Sequence, residues 1–210
     1  MNKIIHQIFL DVGLKPLQDR QDYLNNISLI KMNNPDWEYK LWTDDSLNEF
    51  VSTHYPQYVD IWNSFPHPFY KIDYSRYLLL DHYGGIYIDL DEINIKSLDT
   101  PILNSKIITG IWMGGVRNKV NYNNNNTIAI NDKELTKSLI EYCNSQIIEK
   151  KKTLPPSWKC RLFQHSVSQM MFSRWCKINK INSDVNILEY FKTTDEENCS
   201  WITSMGKTVK

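Results

Sequence analysis

Residues 77–93 read YLLLDHYGGIYIDLDEI, and the centre of the expected fold lies in this stretch. A helix-like apolar run breaks at Gly84-Gly85, and a short strand-like run then delivers Asp89 and Asp91, with Glu92 directly behind. Ionised carboxylates are costly to bury unless something compensates their charge. The stretch therefore raises the expectation of a bound cation at the end of a buried strand.

The spacing of the two aspartates indicates how such a cation is held. Side chains alternate along a strand, so Asp89 and Asp91 are predicted to point to one side while Leu90 points into the sheet. Two carboxylates on one side make half of a site for Mg²⁺ or Mn²⁺, and water and phosphate oxygens supply the other ligands. A short D-x-D motif is weak alone, but here a buried helix, a Gly-Gly break and an apolar strand precede it.

The helix expected at residues 69–83 carries a second pair of charges. Its sequence, FYKIDYSRYLLLDHY, is apolar on most sides, which predicts burial. Asp73 and Arg76 are three residues apart and so share one face of the helix. Because their neighbours are apolar, the pair is predicted to be partly buried rather than a surface ion pair. An Asp/Arg pair beside a metal-binding strand suits a ligand rich in hydroxyls and phosphate.

Composition excludes several classes of protein. A chain of 210 residues suits one domain, and 24 Lys+Arg against 24 Asp+Glu gives zero formal charge, so no global field attracts nucleic acid or an anionic membrane. No segment reads as a signal peptide or a membrane span. We expect a cytoplasmic protein with no membrane insertion and no nucleic-acid partner. The cysteines are widely spaced without a C-x-x-C pair, which argues against structural zinc and a disulfide framework; they lie at 143, 160, 176 and 199.

Strand and helix patterns alternate along the chain, which predicts an α/β fold with a parallel-type sheet. Strands are predicted at 3–10, 37–43, 86–90, 93–98, 106–113 and 127–131. Helices are predicted at 19–33, from Asp44-Asp45 onward, and at 57–64, 69–83, 133–151 and 162–178. The asparagine-rich residues 121–126 are predicted to form a loop. His6 lies inside the first strand and is predicted to be a core histidine rather than a metal ligand.

Three segments together resemble a known family. They are KIIHQIF at 3–9, NPDWEYKLWTD at 34–44 and KIDYSRYLLLDHYGGIYIDLD at 71–91, in this order. The set resembles the D-x-D mannosyltransferases of glycosyltransferase family 32 and the catalytic domains of clostridial glucosylating toxins. The resemblance implies a GT-A fold, with a mostly parallel central sheet flanked by helices. It implies one domain over 1–210, with a nucleotide-sugar-binding half at 1–110 and an acceptor side and closing segment at 111–210.

The resemblance also implies an activity and a set of site residues. The implied activity is transfer of a hexose from a UDP- or GDP-linked donor to a glycan or protein acceptor, with retention of anomeric configuration and a divalent cation, usually Mn²⁺. The residues implied in catalysis are Asp73, Arg76 and Asp91, and those implied as metal ligands are Asp89 and Asp91. The residues implied in donor binding are Phe9, Asp73, Arg76, Tyr77, Asp89, Ser200 and Trp201. Phe9 is expected to stack on the base, and Ser200 and Trp201 are expected to close over the donor.

Two other functions remain open from the sequence. A haloacid-dehalogenase-like phosphohydrolase also places D-x-D after an apolar strand and uses the first aspartate as a nucleophile. That class usually has Thr or Val where this chain has Ile93, and its motif lies near the N-terminus. A protein that binds a nucleotide sugar without turnover is the other alternative. Metal-dependent release of sugar from a nucleotide sugar would distinguish a glycosyltransferase from these two alternatives.

Overall fold

The computed structural model describes residues 1–12, 15–113, 121–153 and 167–193. The strands in these ranges are β1 (Ile4–Ile8), β2 (Glu38–Trp42), β3 (Ile86–Ile88), β4 (Glu92–Asn94), β5 (Ile107–Met113), β6 (Asn121–Ile130) and β7 (Phe191–Thr193). The α-helices are α1 (Gln21–Asn33), α2 (Asp44–His54), α3 (Val59–Asn63), α4 (Pro68–Tyr83), α5 (Thr100–Asn104), α6 (Lys133–Thr153) and α7 (Gln169–Ile178). Strands and helices alternate through most of this order, as the sequence predicts.

The central sheet has the strand order β2-β1-β3-β6-β5. Strand β1 pairs in parallel with both β2 and β3, while β6 is antiparallel to β3 and to β5. Four of the five strands therefore run in one direction, and β6 alone runs against them. This arrangement confirms the expected α/β fold with a mostly parallel sheet. Strands β4 and β7 form a separate antiparallel pair.

Apolar side chains pack in two clusters of buried residues. The larger cluster joins β1 and β3 to helices α2, α4, α6 and α7, and contains Leu47, Leu78 and Phe172. The second contains Ile5, Ile86 and Ile108 together with residues of α1 and α5. Alternate positions of β1 and β3 supply the two clusters, so the sheet is covered on both faces. Such burial explains why these strands read as continuous apolar runs.

Helix α4 is buried almost all round, as its sequence predicts. Pro68 occupies its first turn, where a missing N–H costs nothing, and the side chain of His67 accepts a hydrogen bond from the Phe69 N–H at 3.3 Å. Eight of its residues are buried, among them Tyr77. The helix ends at Gly84, whose positive φ of 68° stops the helical path. Because α4 is enclosed, the position and tilt of its polar residues are set by core packing.

His6 is a core histidine with both ring nitrogens paired, as predicted. The Trp42 indole N–H donates to His6 Nδ1 at 3.2 Å. Nδ1 is therefore an acceptor, which leaves the proton on Nε2 to be donated to the Gly84 carbonyl oxygen at 3.0 Å. Burial lowers the pKa of His6 to about 4, against the opposing hydrogen bond to Gly84. The neutral ring thus joins β1 to the Gly-Gly break rather than serving as a ligand.

The structure corrects the predicted ends of two strands and one predicted loop. The strand predicted at 93–98 is β4, which covers only Glu92–Asn94. Strand β3 stops at Ile88, so Asp89–Asp91 form a turn rather than the last part of a strand, and β4 begins at Glu92. The residues at 121–126, predicted as a loop, belong to β6. Asparagine has low strand propensity, but pairing with β5 and β3 supplies backbone partners that local sequence does not reveal. The predicted helix at 162–178 is seen as α7, and 162–166 lie outside the described residues.

The state of the cysteines and the character of the helices complete the description of the fold. The two cysteines of the described ranges, Cys143 and Cys176, are buried free thiols. None of the helices in the described ranges combines the length and the apolar character needed to cross a membrane.

The Gly-Gly break generates a stability prediction. Gly85 has φ of +82°, and a Cβ at this position would lie 2.4 Å from the backbone oxygen of Ile4 in β1. Gly85→Ala therefore adds a collision with an interior strand to an unfavourable backbone conformation, and we expect the free energy of unfolding to fall by about 2–4 kcal/mol. Chemical denaturation followed by tryptophan fluorescence measures it.

Gly84→Ala is the matched control, because Gly84 also has positive φ but its added Cβ meets only the flexible side chain of Asn2, at 3.4 Å. Gly84→Ala should lower the free energy of unfolding clearly less than Gly85→Ala does. Equal losses of unfolding free energy in the two variants would show that the positive φ, and not the close approach of β1, is the reason that position 85 requires glycine.

Candidate active site

The turn that carries the D-x-D motif is held through its backbone by three other elements. The Asp89 N–H donates to the Asn126 carbonyl of β6 at 2.7 Å. The Gln7 side-chain amide of β1 donates to the Asp89 carbonyl at 3.2 Å, and the Asn26 amide of α1 donates to the Leu90 carbonyl at 2.9 Å. Leu90 is buried, as predicted. The path of the turn is therefore set by β1, β6 and α1 together.

Arg76 connects the helix pair to this turn. Its Nη2 lies 3.1 Å from Asp89 Oδ1 and 3.5 Å from Asp73 Oδ1. Its Nη1 donates to the Asn125 carbonyl at 2.6 Å, and its guanidinium carbon lies 4.7 Å from the centre of the Tyr87 ring. Only 8% of the Arg76 side chain is exposed. The sequence predicted a partly buried Asp73–Arg76 pair, and the structure adds Asp89 to it.

One donor of Arg76 has no hydrogen-bond partner among the described residues. Its Nε is buried and finds no hydrogen-bond acceptor within the described part of the chain. A buried guanidinium N–H without an acceptor is costly, and an anionic oxygen is its strongest partner. The arrangement suits an anionic ligand beside Asp89.

Burial disfavours the charged form of all three aspartates. It raises the pKa of Asp73 to about 6, against the opposing effect of Arg76. It also raises the pKa of Asp91 to about 6, and the neighbouring charge of Asp89 adds to the shift. For Asp89 burial again raises the pKa, while Arg76 and the Tyr87 hydroxyl oppose the rise. Burial thus opposes ionisation of the three aspartates, and a nearby positive charge would favour it.

The two D-x-D carboxylates fit a hard divalent cation by their chemistry. Asp89 Oδ1 accepts from the Tyr87 hydroxyl at 2.5 Å and pairs with Arg76, and Asp91 is partly exposed beside it. Within the described ranges, no group of three or more His, Cys, Asp or Glu side chains is placed to hold a metal. Mg²⁺ and Mn²⁺ commonly use one or two carboxylates and take water and phosphate oxygens as further ligands. The site residues therefore fit a cation that binds together with a diphosphate.

The remaining predicted donor-binding residues occupy different places. Phe9 directly follows β1 and is half-buried, while its neighbours Ile8 and Leu10 belong to the core. Tyr77 is fully buried, and its hydroxyl donates to the Val167 carbonyl at 3.1 Å, so it lies behind the site. Ser200 and Trp201 lie outside the described residues. Their roles stay predictions.

Two site residues are missed by sequence reasoning, namely Asn125 and Asn126. The Asn125 amide donates to Asp73 Oδ1 at 2.8 Å and to the Tyr77 hydroxyl at 3.1 Å, and the Asn126 amide donates to Glu92 Oε1 at 2.5 Å. Both belong to the asparagine run that reads as a loop. No spacing rule singles out these two asparagines from their neighbours, because the pairing of β6 with β3 brings them to the turn.

A family of known proteins matches the part of the chain that contains this turn. Residues 21–108 match the family described as "Glycosyltransferase sugar-binding region containing DXD motif". The match includes α4, β3 and the D-x-D turn. The resemblance drawn from the sequence is therefore confirmed for this region.

Two curated relatives are named as enzymes of mannose transfer. Mannosyl phosphorylinositol ceramide synthase SUR1 of Saccharomyces cerevisiae is 38% identical over 103 residues, which are 48% of this chain and 25% of the relative. The initiation-specific alpha-1,6-mannosyltransferase of the same yeast is 38% identical over 69 residues, or 31% of this chain and 14% of the relative. The chain thus spans at most about a quarter of the length of these relatives.

A solved structure extends the likeness to the fold. The catalytic domain of alpha-toxin from Clostridium novyi superimposes with a TM-score of 0.56 at 12% identity, covering 100% of this chain and 82% of that domain. At this identity the likeness concerns the fold alone. Together with the sheet topology, it shows that the chain has a GT-A fold, and residues 21–108 are similar to the sugar-binding region of the DXD glycosyltransferases.

Proposed function

We propose that this chain is a metal-dependent glycosyltransferase that moves a hexose from a UDP- or GDP-linked donor to a glycan or protein acceptor. The observation that carries the proposal is the placement of Arg76 between Asp73 and Asp89, with Asp91 on the same turn. Because the relatives are named for mannose transfer, mannose is the first donor sugar to test. We further propose retention of configuration, and division of the chain into a donor half at 1–110 and an acceptor side at 111–210.

The geometry supports a proposed role for each charged residue of the site. Arg76 is held by two carboxylates and a carbonyl, so its charge is preoriented toward the diphosphate position beside Asp89. Asp73 accepts hydrogen bonds, which suits orientation of a sugar hydroxyl. Asp89 and Asp91 would hold the divalent ion, which when bound supplies positive charge that stabilises the diphosphate leaving group. The protein thus positions a leaving group rather than offering a nucleophile.

Asp89 also argues against the phosphohydrolase alternative. A nucleophilic carboxylate needs a free oxygen directed at phosphorus. Here Asp89 Oδ1 is tied by a hydrogen bond from Tyr87 and an ion pair with Arg76, which leaves only Oδ2 for an attack on phosphorus. These contacts favour a carboxylate that holds charge in place.

The first prediction from the proposed function concerns metal dependence. In assays of UDP-glucose and GDP-mannose with Mn²⁺, wild-type protein should release nucleotide, and EDTA should abolish the release. Asp91→Asn keeps the shape but removes the charge, so its rate should fall by about 100-fold or more. Asp36→Asn, on an exposed turn, is the matched control and should retain full rate.

Other outcomes would identify the other functions. Tight binding of nucleotide sugar without release would favour a binding protein, and cleavage of simple phosphate esters would favour a phosphohydrolase. Full activity of Asp91→Asn would remove this aspartate from the mechanism. The anomeric configuration of the product, read by proton NMR, tests retention.

The second prediction concerns Phe9. Stacking on a base is worth ~1–3 kcal/mol, so Phe9→Ala should raise the donor KM by about 5- to 150-fold with a smaller effect on kcat. Phe9→Trp is the matched control, because it keeps an aromatic face and should leave KM equal or lower. If Phe9→Ala leaves KM unchanged, the half-buried ring does not contact the base.

The third prediction concerns pH. The pKa of Asp91 is raised to about 6 in the fold, so ionisation is harder in the folded than in the unfolded chain. Its contribution to stability is fully present below pH 4 and is lost as pH rises through 6. In EDTA, Asp91→Asn should therefore increase stability at pH 8 by on the order of 1–3 kcal/mol, and should give no gain near pH 4.

Melting curves of both proteins at the two pH values test this. Mn²⁺ with nucleotide should stabilise wild type at pH 8 and leave Asp91→Asn unchanged. A variant less stable than wild type at pH 8 without metal would show that Asp91 is favourably paired in the free protein. Asp36→Asn again serves as the control substitution.

A further inference from the structure

Strand β6 contains an irregularity directly opposite the D-x-D turn. Its residue Ile128 pairs with Thr109 of β5, but the next β5 residue, Gly110, pairs with Asn124 instead of Thr127. The register therefore shifts by three residues on β6 between adjacent positions of β5. Bulges of this kind redirect side chains and are common beside active sites. Here the shift carries Asn125 and Asn126 to the β3 side of the sheet.

Asn126 makes contacts on both flanks of the metal-binding turn. Its carbonyl accepts from the Asp89 N–H at 2.7 Å, and its side-chain amide donates to Glu92 Oε1 at 2.5 Å. Its side-chain oxygen accepts from the Thr127 N–H at 3.0 Å, which fixes the orientation of the amide. One residue thus contacts the first D-x-D aspartate and the acid that follows Asp91. Glu92 is 4% exposed, so this carboxylate is held inside the protein.

Gly110 provides the space for this side chain. A Cβ on Gly110 would lie 1.7 Å from Asn126 Oδ1, and its next contacts beyond that side chain begin at 3.3 Å. The requirement for glycine therefore comes from Asn126 itself. Gly110 does not need a positive φ, so its conformation alone would admit alanine.

We propose that Asn126 is a positioning residue of the donor site, which sets the separation and direction of the two D-x-D carboxylates through Glu92 and the Asp89 backbone, and that Gly110 is required for this. This proposal rests on the proposed function, because a positioning role requires a donor site. The contacts of Asn126 and Gly110 are observed independently of that function. Asn126 touches neither donor nor metal in this role. Residues that orient metal ligands typically change metal affinity by 10–100-fold when removed.

The first experiment exchanges the hydrogen-bond donor and the hydrogen-bond acceptor between Asn126 and Glu92. Asn126→Asp places a carboxylate against Glu92, and should weaken Mn²⁺-dependent binding of UDP or GDP by at least about tenfold. Asn126→Ala should act in the same direction. Adding Glu92→Gln to Asn126→Asp restores a hydrogen bond of reversed direction at unchanged net charge, and should return binding to within about threefold of wild type. Calorimetry with each nucleotide and electron paramagnetic resonance of Mn²⁺ measure binding without turnover.

Asn123→Ala is the matched control. Asn123 lies on the same strand and makes two side-chain hydrogen bonds, from the Thr109 hydroxyl at 2.9 Å and to the Ile181 carbonyl at 3.2 Å, but does not contact the turn. It should lower the melting temperature while leaving Mn²⁺-nucleotide affinity unchanged. If Asn126→Ala behaves in the same way, Asn126 is only structural and the proposal is overturned. If the double variant Asn126→Asp/Glu92→Gln binds Mn²⁺-nucleotide as weakly as Asn126→Asp does, Asn126 does not act through Glu92.

The second experiment needs no ligand. Gly110→Ala should destabilise wild type strongly but destabilise the Asn126→Ala protein much less, because the colliding side chain is then absent. Equal losses in both backgrounds would contradict the packing argument. If wild type binds neither nucleotide with Mn²⁺, the proposed function fails, whereas this coupling still measures the contact between β5 and β6.

Discussion

The site depends on one buried guanidinium that is shared by two carboxylates. Arg76 pairs with Asp73 on its own helix and with Asp89 at the end of β3, and its second terminal nitrogen donates to a β6 carbonyl. A buried cation and its counterions are stable only as a set, because removal of one partner leaves an uncompensated charge. Helix α4, strand β3 and strand β6 must therefore keep their relative positions for any of the three groups to remain buried.

That constraint explains the surroundings of α4 and β3. Helix α4 is packed against α6 and the sheet, and the tight approach of Gly85 to β1 sets where β3 begins. His6, neutral and paired at both nitrogens, holds β1 to the same break. The core thus positions charged groups to within hydrogen-bond distance while excluding water from their other sides. Preorganisation of this kind is what stabilises developing charge on a leaving group.

Burial makes the charged form of the aspartates in the same region unfavourable. Burial raises the pKa of Asp73 and of Asp91 to about 6, so at neutral pH the free protein bears a cost for their charge. A cation bound with a diphosphate would relieve this cost and would also provide an acceptor for Arg76. Functional sites commonly retain such unfavourable electrostatics because the ligand supplies the compensation. The stability of the fold and the proposed affinity for a donor are therefore opposed at Asp91.

The sequence by itself determined the parts that depend on local pattern. Hydrophobic periodicity predicted α4 and β3, and the glycine pair marked the break between them. The spacing of Asp73, Arg76, Asp89 and Asp91 indicated the charged residues of the candidate site. Tertiary structure alone decided what β6 contributes. The asparagines at 125 and 126 have no periodic signal and low strand propensity, so they read as a loop. They form a strand because β3 and β5 offer backbone partners, and they reach the D-x-D turn because the register shifts opposite Gly110. Contacts between residues far apart in sequence leave no mark in a local window, whereas the side-chain period of a buried helix or strand does.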